Sequence, residues 1–192
     1  MTIHPWLRYF PGDSGYLALR PVRIKAVTAL RTLALLLAFS PLGFSQWVNK
    51  PLDAPANPNP QLYEANANAR HDISLAIATA AKGHKRILLV FGGNWCIDCH
   101  ILEKAFHQPR IAPLVNNNFL VVHVDVGEYT KNLDLAAKYR VDLKKGVPAI
   151  AVLDGRGAFL YSTSEFEKAR LLTEDDVVQF LDRWKPTGSA KN

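Results

Sequence analysis

The run Ile87-Leu88-Leu89-Val90-Phe91-Gly92-Gly93-Asn94-Trp95-Cys96-Ile97-Asp98-Cys99-His100 constrains this chain more than any other stretch. Its first five residues are apolar and suit a buried strand, and two glycines then break the pattern. Ile101 to Phe106 resumes with helical spacing. A strand thus delivers two cysteines to the first turn of a helix. Backbone N–H groups and the positive end of the helix dipole favour a thiolate at that place. The second cysteine, three residues on, lies within reach of the first, so the pair can cycle between dithiol and disulfide. The chain has two cysteines and both are here. The chemistry indicated is thiol–disulfide exchange. A permanently closed structural disulfide is the plainer alternative, but so short a step ties up little chain.

A length of 192 residues with 48% hydrophobic content fits one folded domain with a sizeable core. The net charge of +6 raises the question of nucleic acid, and its distribution answers it. Residues 1–45 carry Arg8, Arg20, Arg23, Lys25 and Arg31 against Asp13 alone, so most of the excess sits in the leader. No nucleic-acid partner is implied.

Within that leader, Leu33 to Phe39 follows the basic residues and precedes Pro41 and Gly43-Phe44-Ser45. A basic region, a short apolar core and small residues describe a secretory signal, with cleavage after Ser45. The rival is a retained membrane anchor over residues 32–49, near the lower length for a span. Either reading places the protein in the periplasm or another exported location. Residues 46–60 hold four prolines and read as a linker. The folded domain is expected over 61–187, with 188–192 as a tail.

Inside the domain, Gln61 to Lys82 reads as helix with Gly83 as its cap. Strand 86–91 and the helix from about Cys96 follow, and Gln108-Pro109 marks that helix's end. Arg110 to Val115 suits a further turn of helix. Phe119 to Val126 is the most strand-like run and is expected centrally in a sheet. Asn132 to Arg140 suits a helix, Val147 to Leu153 a strand, and Ala158 to Thr163 its hairpin partner. Thr173-Glu174-Asp175-Asp176 is a capping box that opens a last helix to Trp184. The order predicts an α/β fold, a mixed central sheet flanked by helices on both faces.

Two separated motifs carry a family resemblance. Trp95-Cys96-x-x-Cys99 after a strand, and Gly146-Val147-Pro148 opening a later one, resemble the thioredoxin family over about residues 84–185. Ala136 to Val141 adds to the likeness, although the loop after it is longer here. Within the family the resemblance is nearest to the C-terminal domain of DsbD-type thiol:disulfide interchange proteins. It implies a thioredoxin-like fold in which Pro148 is cis and faces the dithiol, Trp95 shields it, and Cys96 is the exposed, attacking sulfur. His100 and Glu103 match a polar residue and a glutamate after the second cysteine. The family's buried aspartate, six residues before the first cysteine, is replaced by Val90. Glu103 is therefore the candidate proton acceptor for Cys99.

The resulting expectation is an enzyme, a thiol–disulfide oxidoreductase acting on protein thiols and disulfides, with a membrane or periplasmic redox partner. No cofactor and no metal are called for. No cation lies between the cysteines, and acidic Asp98 would raise a thiol's pKa while a protonated His100 would oppose this. The balance leans to a reductase. The rival reading takes Cys96-Ile97-Asp98-Cys99-His100 as a c-type haem attachment signature with His100 as axial ligand. It leaves Trp95 and Gly146-Val147-Pro148 unused, and Met1 is the chain's one methionine. A non-redox binding module on the same scaffold is the third class.

Overall fold

The computed structural model describes residues 50–187. The leader, the start of the linker and the tail lie outside the described residues. Among the described residues no helix is long and apolar enough to cross a membrane.

One sheet organises the domain, with strand order β2-β1-β3-β4. β1 (Arg86–Gly92) runs parallel to β2 (Phe119–Asp125) and antiparallel to β3 (Ala149–Leu153). β3 in turn pairs antiparallel with β4 (Phe159–Thr163). Among the described residues five α-helices accompany it: α1 (Ala69–Gly83), α2 (Ile97–Phe106), α3 (Ala112–Asn118), α4 (Leu133–Lys138) and α5 (Glu174–Trp184). A 3-10 segment, Glu165–Leu171, precedes α5.

Alternation along β1 explains why both faces are covered. Leu89 and Phe91 pack with Ile73, Ala76 and Ala80 of α1 and Leu135 of α4. Leu88 and Val90 point to the opposite layer, with Leu102 and Ala105 of α2 and Phe180 and Leu181 of α5. All four strand side chains are buried. Each contributes about 1.5–3 kcal/mol as an upper bound, which makes β1 the spine that carries the cysteines.

The sheet, its flanking helices and the capping box agree with the sequence reading. Thr173 Oγ1 accepts from the Asp176 N–H, and the Asp176 carboxylate accepts from the Thr173 N–H at 2.8 Å. Three local expectations are corrected. α1 starts at Ala69 rather than Gln61, because the Asn68 side chain caps it by accepting from the His71 N–H at 3.1 Å. Its end is closed by His84 in the left-handed region (φ 51°), with Gly83 still helical. β2 lies at a sheet edge rather than centrally. Its apolar run reflects cover on both faces: Val122 and Val124 pack on the α1 side, Phe119 on the α3 side.

The proline-rich stretch is also less free than a tether would be. The Leu52 N–H donates to Leu172 O at 2.7 Å, and the Leu52 side chain is buried in the layer holding α2 and α5.

Candidate active site

β1 ends at Gly92, and the turn Gly93-Asn94-Trp95 delivers Cys96 to the N-cap position of α2. The Cys96 backbone is extended (φ −87°, ψ 104°), and its sulfur accepts from the Cys99 N–H at 3.1 Å. Cys96 and Cys99 are joined in a disulfide with a Cα–Cα distance of 5.3 Å. Both cysteines are buried in the disulfide, Cys96 at 5% exposure and Cys99 at 1%, so the residue expected to present an exposed sulfur is only slightly the more open of the two.

Across from the pair, the Val147–Pro148 peptide bond is cis, and Val147 O lies 3.4 Å from Cys96 Sγ. Two segments 51 residues apart in sequence therefore converge on one sulfur. Trp95 stands at the rim, 51% exposed. Its Nε1 donates to Gly127 O at 2.7 Å, and its ring tilts against Tyr129 at 5.6 Å. Ile97 is also exposed, so apolar side chains flank Cys96 on both sides in the chain.

Comparison with known proteins agrees with this geometry. Residues 68–155 match a family described as thioredoxin-like. Among solved structures, a disulphide isomerase from Xylella fastidiosa Temecula1 is 33% identical with a TM-score of 0.61. The match covers 64% of this chain and 95% of that one. The chain belongs to the thioredoxin-like family. The C-terminal domain of DsbD from Neisseria meningitidis, in its oxidised form, is 18% identical with a TM-score of 0.48, covering 62% of this chain and 97% of that one. No curated protein matches the sequence. As a thioredoxin-like protein with its two cysteines at bonding distance, the chain is built for thiol–disulfide exchange.

The remaining polar residues of this thioredoxin-like site are arranged differently from what their types suggest. His100 is buried at 5% exposure, and its Nε2 lies 2.9 Å from Asn94 O. A ring nitrogen facing a carbonyl must carry the proton, so Nε2 donates. That arrangement does not fit c-type haem. Both sulfurs are committed to each other, and Nε2, the nitrogen that would bind iron, is turned to Asn94 O. Among the described residues no cluster of three His, Cys, Asp or Glu side chains is placed to hold a metal ion.

Asp98 is not a free acid beside the thiols. Its carboxylate accepts from Arg170 three ways: the backbone N–H at 3.0 Å, Nε at 3.1 Å and Nη2. Burial pushes the Asp98 carboxyl up, but the Arg170 hydrogen bonds and charge outweigh it and hold it below the ordinary range. The paired guanidinium offsets the negative charge expected to raise the cysteine pKa.

Glu103 faces His123 rather than a sulfur. Glu103 Oε2 lies 3.0 Å from His123 Nε2, and Oε1 lies 3.5 Å from His107 Nδ1. Burial again acts to raise this carboxyl, while the His123 hydrogen bond and the charges of His123, His107 and His100 lower it further. The net effect is an ionised carboxylate one helical turn beyond Cys99.

Two participants have no local signature in the sequence, Tyr63 and Asn94. The Tyr63 N–H donates to Asn94 Oδ1, and Asn94 Nδ2 donates to Tyr63 O, both at 2.8 Å. The segment before α1 is thereby fastened to the turn that bears the cysteines. A contact spanning 31 residues leaves no period or spacing to read.

Proposed function

We propose that this thioredoxin-like protein is an exported oxidoreductase that reduces protein disulfides. Cys96 thiolate attacks a partner's disulfide, one partner sulfur leaves with the electron pair, and a mixed disulfide forms on Cys96. Cys99 thiolate then attacks Cys96 Sγ and expels the second partner sulfur, closing the protein's own disulfide. Each departing thiolate takes up a proton from solvent. The observation that carries the proposal is the Cys96–Cys99 disulfide at the start of α2, with Cys96 Sγ accepting from the Cys99 N–H.

The other residues take supporting parts. Trp95 and the exposed Ile97 present apolar surface to an incoming peptide. Pro148 holds the Val147 carbonyl beside the reacting sulfur. His100 fixes the turn through Asn94 O. Glu103, ionised and paired with His123, keeps a fixed negative charge one helical turn beyond Cys99. The reductase direction is supported by the lack of an unpaired cation between the cysteines: Ile97 is apolar and Asp98 is already matched by Arg170. With no such cation to stabilise the thiolate, the dithiol gives up its electrons more readily. Export follows from the basic, then apolar, then small-residue order of residues 20–45. A redox partner in the same compartment is required to re-reduce the pair.

The test is trapping. In full-length Cys99→Ala, mixed disulfides should accumulate on Cys96 and disappear when Cys96 is also replaced. A trap that stays empty while the unmodified protein reduces disulfides under the same conditions would overturn the mechanism. Cell fractionation checks the compartment, and cytoplasmic protein with an intact leader would remove export from the proposal.

A further inference from the structure

We propose that Tyr63 is a catalytic residue of the resolving step, its hydroxyl donating a hydrogen bond to the Cys99 thiolate once the Cys96–Cys99 disulfide opens. The inference rests on the exchange chemistry proposed above and assigns the group that serves its inner sulfur.

Tyr63 is 2% exposed, and its hydroxyl is one of three buried side-chain polar atoms without a hydrogen-bond partner among the described residues. Buried hydroxyls are normally satisfied, so an orphan calls for an explanation. Its surroundings supply one. A methyl placed on Gly92 would come 2.6 Å from Cys99 Sγ and 2.7 Å from Tyr63 Cζ, and would collide with Tyr63 Oη. The hydroxyl and the inner sulfur therefore share the small space that the glycine leaves open. In the disulfide, Cys99 Sγ is bonded to its neighbour and carries no charge for the hydroxyl to meet. Reduction breaks that bond, the two sulfurs separate to non-bonded contact, and Cys99 gains an anionic form beside a waiting donor.

The aim of the side chain is fixed at both ends. Its backbone is held by the two Asn94 hydrogen bonds, and the ring meets the His123 ring edge-on at 5.2 Å. The titratable groups around it are Glu103 on α2 and His123 and Asp125 on β2. Burial first, then the negative charges of Glu103 and Asp125, push the Tyr63 phenol well above its ordinary pKa. The hydroxyl stays protonated and keeps its hydrogen available to donate. It therefore differs in kind from a base: it favours the Cys99 thiolate without accepting its proton, which passes to solvent. Val90 leaves no acid to compete, since its side chain is apolar and lies in the opposite layer.

The test uses the full chain, reduced, and a chromogenic aromatic disulfide. Cys96 thiolate attacks the reagent and releases one coloured thiolate. Cys99 thiolate then attacks Cys96 Sγ and the second coloured thiolate leaves with the electron pair, so the two steps appear as two phases. Tyr63→Phe removes one oxygen that has no partner in the disulfide form, so oxidised protein should melt no lower than the parent. The first phase should be unchanged. The second should slow about tenfold at neutral pH, its pH midpoint moving up by about one unit, as expected for losing a donor to a charged sulfur. A second phase unchanged in rate and midpoint overturns the role of Tyr63. Loss of the first phase in the parent protein overturns the exchange reading itself, a separate outcome. As an independent check, thiolate absorbance of Cys99 in Cys96→Ala should titrate higher when Tyr63→Phe is added, and an unmoved midpoint would refute the inference.

Discussion

Replacing Asn94 by alanine tests whether the turn before the cysteines is a clamp or merely a connection. The side chain makes two hydrogen bonds to one residue, accepting from the Tyr63 N–H and donating to Tyr63 O. Neutral hydrogen bonds are worth about 0.5–1.5 kcal/mol each, so the pair contributes about 1–3 kcal/mol. Tyr63 itself is buried, and two abandoned backbone groups in a sealed site would cost more. Asn94 is exposed, however, so water can enter where its amide was and the larger figure does not apply. The expected loss is about 2 kcal/mol, or a melting temperature lower by roughly 5–10 °C for a domain of this size. Urea denaturation of the oxidised protein measures it directly, through a lower midpoint at unchanged slope. Asn94→Asp keeps the acceptor for the Tyr63 N–H but turns a second oxygen toward Tyr63 O, so it should recover little of the loss. A loss in Asn94→Ala below about 0.5 kcal/mol, the value of an ordinary surface change, would refute the clamp.

Two further outcomes follow from the electrostatics of the site. Glu103→Gln should destabilise the protein at neutral pH, and the gap to the parent should close as pH falls below the ordinary carboxylate range. The sign is set by the lowered pKa of the folded carboxyl, whose stabilisation is complete above the unfolded value and is lost as pH drops through the folded one; a gap that widens in acid would contradict it. The reduction potential, measured against a glutathione buffer, should lie well below the roughly −120 mV of a strong oxidant, and a value near that figure would reverse the proposed direction.

What could be read from the sequence was local, and what could not was distant. The helix start at Cys96 was legible because strand, glycines and dithiol lie within one continuous stretch. The capping box at Thr173 was legible because its partners sit three residues apart. Pro148 came from a motif, and the cis bond beside Cys96 agrees with it. The pairings that set the electrostatics span 20 residues for Glu103 and His123 and 72 for Asp98 and Arg170. No spacing rule reaches that far, so Asp98 read as a free acid and Glu103 as a sulfur's neighbour. β2 misled for a different reason: an apolar run reports cover above and below a strand, and is silent about how many strands lie beside it.

The sulfur proposed to react is also the atom that closes the first turn of α2, and the amide it holds belongs to the other cysteine of the pair. Chemistry at the outer position therefore reaches the inner one through the backbone as well as through the bond between them. Serine and alanine at residue 96 are consequently unequal ways of silencing it. A serine hydroxyl still closes the turn, whereas alanine leaves the Cys99 amide with its backbone acceptor alone, Cys96 O at 3.1 Å, and removes the side-chain cap.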